Sequence, residues 1–282
     1  MASIFQIQYT SINEYEEPVS EALFEFLASP CTDSSQILID YQVKNSINQE
    51  AFYGRNSYGF QTIRIRQNKP FTAFQFVYNC RVEKLDPAPA AKKTKSAEQA
   101  KVISSNNFLI DNFLFLSKTP LTTLSEENKS AVKVYNKKQG IEDFLVELND
   151  YIHSFLKYEV KLTTVDTTAD EVVKLKKGVC QDFTHVFIAM ARENKIPCRY
   201  VSGYLDQGTD YIGSSSMHAW AEALVPGVGW IGFDPANNCI VNSHYVKVCH
   251  GSDYKDCSPI KGILIMPRGE NKTIHQVKVV QQ

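Results

Sequence analysis

Apolar residues change their spacing twice along this chain, and each change narrows the architectures open to it. In "FQIQY" (5–9), "ILIDYQV" (37–43), "FQTIRIRQ" (60–67) and "FTAFQFVYNCRVEKL" (71–85) they alternate with polar residues or give way to β-branched and aromatic types. That is the period of a half-buried strand. From about 105 to 195 the step lengthens to three and four, as at Ile141, Phe144, Leu145, Leu148, Ile152 and Phe155, which is one face of a helix. Strand-like stretches return with "CRYVSGYL", "MHAWAEALV", "GWIGFD", "GILIM" and "IHQVKVV". Helices followed by an antiparallel sheet make an α+β domain. Turn signals at "YGRNSYG" and "QNKP" cut the first strands into short pieces, which points to a β-sandwich ahead of it.

Some segments are less decided. In "PVSEALFEFLASP" (18–30), Leu23, Phe24 and Leu27 fit helical spacing while the flanking prolines favour a short piece. "DPAPAAKKTKSAEQAK" (86–101) has no large apolar residue and reads as an exposed linker loop, with a short solvent-facing helix over 95–101 as the structured alternative. "SEENKSAVKVY" opens on a Ser-x-x-Asn cap and is expected to be helical. "TTADEVVKLKKG" has a capping threonine, early acids, late lysines and a closing glycine, the polarity of a short helix. The expected division is a β-rich domain over 1–104, linker included, and a second domain over 105–282.

Charge and cysteine usage exclude several classes. Lys and Arg total 30 against 31 Asp and Glu, a net charge of -1, too little basic excess for a general nucleic-acid binder. No stretch approaches the roughly 18 apolar residues of a membrane span, and "MASIFQIQYT" has no leader pattern. The 7 cysteines are odd in number, widely spaced and without a CxxC pair. Reduced thiols in a cytoplasmic protein are expected, not a disulfide framework or a zinc site. His244 and His250 near Cys249 fit no usual ligand spacing, and no acidic loop has calcium-ligand spacing. No cofactor or metal is expected.

One thiol stands out. "GVCQDFTHVF" places Cys180 after a glycine and at the start of a helical pattern, where the helix dipole lowers a thiol's proton affinity. Such a cysteine is either a nucleophile or core filling, and the choice depends on a base and an orienter elsewhere. "MHAWAEALVPGVGWIGFDPANN" offers both: His218 starts one strand and Asp234 ends the return strand. A loop symmetric about Gly227 and Val228 would pair Asp234 with Ala221 and turn it to the wrong face. A register shifted by one, or a bulge, would set it opposite Trp220 and diagonal to His218. The chemistry requires the shifted register, which the residues do not dictate. His218 would then be the base and Asp234 its orienter. The Cys180 backbone N–H is the natural oxyanion donor, with Tyr158 and Gln181 as candidates for a second. His185 and His153 read as structural or surface residues.

With these elements in place, "TTADEVVKLKKGVCQDFTHVFIAMARENKIPCRYVSGYL", "MHAWAEALVPGVGWIGFDPANN" and "GSDYKDCSPIKG" resemble the bacterial branch of the transglutaminase-like superfamily, over residues 105–282. "YGRNSYGFQTIRIRQNKPFTAFQFV" is similar, more weakly, to the β-rich domain that accompanies it. The resemblance implies a papain-like catalytic fold with Cys180, His218 and Asp234 as a triad. It also implies a cysteine-dependent peptidase or amidase acting on a peptide or protein amide through a thioester. Acyl transfer to an amine, or a binding protein that keeps the fold without turnover, are the alternatives. Trp220 and Tyr204 could line the cleft or fill the core. The chain departs from the family pattern at Ser252, where relatives have arginine in Gly-Arg-Asp-Tyr, and at Cys198, where they commonly have alanine. The linker at 86–101 also departs, as an insertion between domains.

Overall fold

A computed structural model describes residues 3–85, 96–206, 211–212, 215–265 and 269–281. The first part is strands: β1 (Ser3–Val19), β2 (Glu21–Phe26), β3 (Gln36–Asn45), β4 (Ala51–Arg55), β5 (Gln61–Gln67) and β6 (Phe71–Lys84). Helices α1 (Ser96–Ile103), α2 (Asn106–Asp111), α3 (Phe113–Leu116) and α4 (Ile141–Phe155) follow. The two-residue strand β7 (Lys157–Tyr158) precedes α5 (Ala169–Leu175), β8 (Lys177–Gly178) and α6 (Cys180–Glu193). Then come β9 (Cys198–Leu205), β10 (His218–Val225), β11 (Gly229–Asp234), β12 (Cys239–Ile240), β13 (Tyr245–Gly251), α7 (Tyr254–Cys257), β14 (Ile260–Ile265) and β15 (Asn271–Gln281). The α+β class expected from the spacing is what forms.

Two antiparallel sheets, in the orders β15-β1-β6-β3 and β14-β2-β5-β4, make the sandwich. Alternation turns Phe5, Ile7 and Tyr9 inward from β1 and Phe24 and Phe26 inward from β2. Rings from the two sheets stack across the core, Phe24 on Phe74 at 4.2 Å and Phe26 on Phe76 at 3.7 Å between centroids. Here the undecided stretch 18–30 resolves: a helix would spread Ala22, Phe24 and Phe26 around its circumference, whereas a strand sends all three into the aromatic core.

The sandwich takes two strands from the far side of the sequence. Ile260 pairs with Phe26 along β14 and β2, and Gln281 with Phe5 along β15 and β1. The expected second domain over 105–282 therefore includes two strands whose partners lie in the first. Nothing local in "GILIM" or "IHQVKVV" says which sheet they join, because strand partners are chosen across the chain.

Two further expectations change. Of the linker stretch 86–101, residues 86–95 lie outside the described residues, while 96–101 form most of α1 instead of a loop. That helix is not wholly solvent-facing: it buries Gln99, Ala100 and Ile103. Gln99 accepts from the Ile141 N–H at 3.0 Å, so its amide serves an otherwise orphaned donor at the start of α4. "SEENKSAVKVY" makes only a 3-10 turn at Asn128–Ala131, because the Asn128 side chain turns aside to Asp170, 2.7 Å away. By contrast α5 begins as expected, with a Thr168–Glu171 capping box.

A third sheet, of five strands, has the order β12-β11-β10-β9-β13. On β10, Ala219, Ala221, Ala223 and Val225 join the core shared with α6, while Trp220 belongs to a separate cluster with Val201, Leu205 and Tyr245. Small side chains on one face let the helix carrying Cys180 pack closely on the strand carrying His218.

Candidate active site

Cys180 is the first residue of α6, and its side chain is half-buried. Asp182 builds the turn beneath it: Oδ2 accepts the Val179 N–H and the Thr163 hydroxyl, each at 2.7 Å. A Cβ on Gly178 would lie 2.6 Å from the Asp182 side chain, so the glycine makes room for the carboxylate that caps the helix. Amides of a helix's first turn have no acceptor one turn earlier, and the Cys180 N–H is one of these.

The hairpin that carries the other two residues has the shifted register. Val225 pairs with Gly229 and Ala221 with Phe233. The loop at 226–228 is three residues long, closed by a 3.0 Å bond from Val228 N–H to the Val225 carbonyl. Gly227 and Gly229 adopt φ of 80° and 111°, angles that suit glycine. A two- or four-residue loop would give the opposite parity. Three residues set Asp234 level with Trp220 and on the face of His218, and His218 Nε2 lies 2.6 Å from Asp234 Oδ2.

Asp234 is completely buried. Burial pushes its carboxyl up, but His218, Asn237 and Tyr245 outweigh this and hold it below the usual range. As a carboxylate it can only accept, so the hydrogen of the 2.6 Å bond sits on His218 Nε2. The basic nitrogen is then Nδ1, buried and without a hydrogen-bond partner of its own among the described residues. Burial alone would lower the proton affinity of His218. The charges of Asp234 and of the neighbouring Cys180 sulfur reverse that and push it up to about 10. Such a ring readily holds a proton taken from a thiol.

A profile of the transglutaminase-like superfamily matches residues 128–235, from the 3-10 turn to just past Asp234. Within those bounds the chain carries a transglutaminase-like core. Uncharacterized proteins of Mycobacterium tuberculosis and Mycobacterium bovis are 37% identical to this chain over 146 residues, 49% of its length and 46% of theirs. The chain thus spans about half the length of these relatives. An uncharacterized Mycobacterium leprae protein is 26% identical over 254 residues, 88% of each chain. Among solved structures, a Cytophaga hutchinsonii protein described as a candidate cysteine protease shares the fold with a TM-score of 0.78 at 22% identity. The match covers 100% of this chain and 91% of that one.

Within this transglutaminase-like site the remaining candidates separate. Tyr158 is partly buried, and burial pushes its phenol up to about 12, with Cys180, Asp234 and Asp182 as the charges around it. Gln181 gives one Nε2 hydrogen to the Val165 carbonyl at 3.1 Å, which leaves the other of its two N–H groups. Trp220 and Tyr204 do not line a cleft. Trp220 is 1% exposed and packs behind the His218 ring, with centroids 6.5 Å apart. Tyr204 is fully buried and donates to the Ala28 carbonyl at 2.6 Å, tying β9 to the sandwich. They fill opposite faces of the sheet, Trp220 the small cluster with Val201, Leu205 and Tyr245, and Tyr204 the main core.

Cys198 is buried, which pushes its thiol up to about 12. At the Ser252 departure, the Ser252 carbonyl accepts from Arg192 at 2.8 Å. His153 is exposed and 3.1 Å from the Pro235 carbonyl, and His244 is 3.3 Å from Asp206. His250 lies against Tyr58, Phe60 and Phe115. Two residues that sequence reasoning passed over touch Asp234: Asn237 and Tyr245, both 2.8 Å from Oδ2. The Asp-x-x-Asn spacing could have flagged the first as a turn closing on its own aspartate. No local signal marks the second, which arrives from β13.

Proposed function

We propose that this protein is an amide hydrolase, a peptidase or amidase, working through a thioester on Cys180. The 2.6 Å contact between His218 Nε2 and Asp234 carries the reading, because it fixes the tautomer and leaves Nδ1 as the base beside the thiol. Nδ1 takes the Cys180 proton, and the thiolate attacks the amide carbonyl carbon. The carbon–nitrogen bond breaks as His218 passes that proton to the leaving amine. Water, losing a proton to Nδ1, then attacks the thioester and displaces the sulfur. Asp234 orients the ring and stabilises the imidazolium without taking the proton.

Charge on the tetrahedral oxygen would be met by the Cys180 N–H at the start of α6 and by the hydroxyl of Tyr158, which keeps its proton at neutral pH. The substrate is a peptide or protein amide. The same residues would transfer the acyl group to an amine if an amine entered in place of water. All 7 cysteines are free thiols, which supports a reducing compartment such as the cytoplasm.

The test is incubation with a peptide library and a millimolar primary amine, with products resolved by mass spectrometry. Hydrolysed peptides that vanish with Cys180→Ala support the reading. Amine-exchanged products would make the protein a transferase. No product, together with equally slow iodoacetamide labelling of every thiol, would leave a binding protein.

A further inference from the structure

Asp234 is held by far more than the imidazole it orients. Its Oδ2 accepts three hydrogens: from His218 Nε2 at 2.6 Å, from Asn237 Nδ2 at 2.8 Å and from the Tyr245 hydroxyl at 2.8 Å. Its Oδ1 accepts the backbone N–H groups of Ala236 and Asn237 at 3.0 and 3.1 Å. These donors reach one buried carboxylate from different parts of the fold. Asn237 follows β11 and also grips Ile212, accepting from its N–H at 2.8 Å and donating to its carbonyl at 3.2 Å. Tyr245 starts β13, at the opposite edge of the sheet from β12.

The direction of the tyrosine bond is fixed by chemistry. A hydroxyl has one hydrogen, and the carboxylate can only accept, so Tyr245 donates to Asp234. Its oxygen is left to accept from the Cys239 thiol, 3.2 Å away. The Tyr245 ring packs on Trp220 at 5.3 Å and on Tyr211 at 6.2 Å between centroids, so its position does not depend on the hydroxyl alone.

We propose that Tyr245 and Asn237 are positioning residues that set how strongly His218 holds its proton, by sharing Asp234 Oδ2 with it. The inference rests on the triad reading. Each donor draws negative charge away from the oxygen that faces the imidazole, so the imidazolium is stabilised less than by a carboxylate with no other partner. A lone buried carboxylate would keep the proton on the ring when it is needed on the leaving amine. With three donors on one oxygen, Asp234 orients the ring and lets the proton go.

The titratable groups around this centre are Cys180 and Asp182 from α6, Tyr158 from β7 and Asp234 from β11. Cys239 from β12 and Tyr245 from β13 complete it, with His153 of α4 one residue away on the Pro235 carbonyl. Asn237→Ala leaves every member of that set in place, whereas Tyr245→Phe also takes from the Cys239 thiol its acceptor, so agreement between the two variants isolates the effect on Asp234.

The test is the rate of Cys180 alkylation by iodoacetamide across pH, in the whole protein, and it needs no substrate. In the wild type a fast phase at Cys180 should change rate at an upper transition, where the imidazolium loses its proton. Tyr245→Phe and Asn237→Ala should each move that transition upward by about half a unit, roughly threefold in the proton equilibrium. Tyr204→Phe, a loss of another buried hydroxyl bond in the same sheet, should leave it in place. Unmoved or downward-moved transitions in whichever of the two variants folds would overturn the inference while leaving the triad intact. A wild type with no fast phase at Cys180 would overturn both.

Discussion

His185 should make this protein lose stability in mild acid, by an amount that one substitution can isolate. Its side chain lies inside α6, fully buried, with the ring 5.2 Å from Tyr200. Nε2 accepts the Tyr254 N–H at 3.2 Å, and Nδ1 has no partner among the described residues. Burial, helped by the nearby charge of Arg192, pushes its proton affinity down to about 3 from an ordinary 6.5. Between those values the unfolded chain takes up a proton that the folded protein refuses, so stability falls as pH falls. At about pH 5 the gap from 6.5 is about 1.5 units, worth about 2 kcal/mol. The full loss, about 5 kcal/mol, is reached only near pH 3. In His185→Gln the amide oxygen can still accept from Tyr254 and nothing titrates. Urea unfolding of both proteins at about pH 7.5 and about pH 5 gives a double difference in which repacking cancels. The wild type should lose about 2 kcal/mol more than the variant over that step. Equal losses would refute the reasoning.

Other substitutions probe the frame of the site. A Cβ on Gly203 would lie 2.3 Å from the Val246 carbonyl oxygen and 2.6 Å from the Trp220 ring. Gly203→Ala should therefore cost about 1–3 kcal/mol in urea unfolding and slow Cys180 alkylation, since Trp220 backs His218. Arg192 donates to the carbonyls of Phe115, Cys198 and Ser252 and to the Thr122 hydroxyl. A lysine cannot make that fork, so Arg192→Lys should lose about 3 kcal/mol, read from the same unfolding curves. A chain ended after Ser258 lacks β14 and β15 and should aggregate on size-exclusion chromatography, because β1 and β2 become open edges. A soluble monomer with normal Cys180 labelling would contradict that.

Much of the part that carries Cys180 could be read because its signals are local. The periodicity of Ile141 to Phe155, the Thr168 cap, and glycine before Cys180 each report on a few neighbouring residues, and each element formed where expected. The hairpin register was half legible: the need for a shift could be stated, but not that the loop would close over three residues. What stayed hidden was non-local. Ala22, Phe24 and Phe26 look helical or strand-like until the ring of Phe74 is opposite them. "IHQVKVV" reads as a strand without naming β1 as its neighbour. Trp220 and Tyr204 were ambiguous because an aromatic on a strand looks the same whether a cleft or another sheet lies above it. Tyr245 was invisible as a partner of Asp234 because the contact crosses the width of the sheet.

The pairing of β1 with β15 imposes a timetable on synthesis. At roughly 5–20 residues per second on the ribosome, β1 emerges well over ten seconds before its outer neighbour exists. Late in that interval the nascent sandwich still lacks β14 and β15, one strand in each layer, while the helices and the five-stranded sheet, by then translated, are free to fold. The half that carries Cys180 and His218 is therefore positioned to mature first, and the sandwich closes last. A product stopping short of residue 271 would expose the raw edge of β1 beside a finished candidate site, the kind of surface that chaperones and proteases recognise.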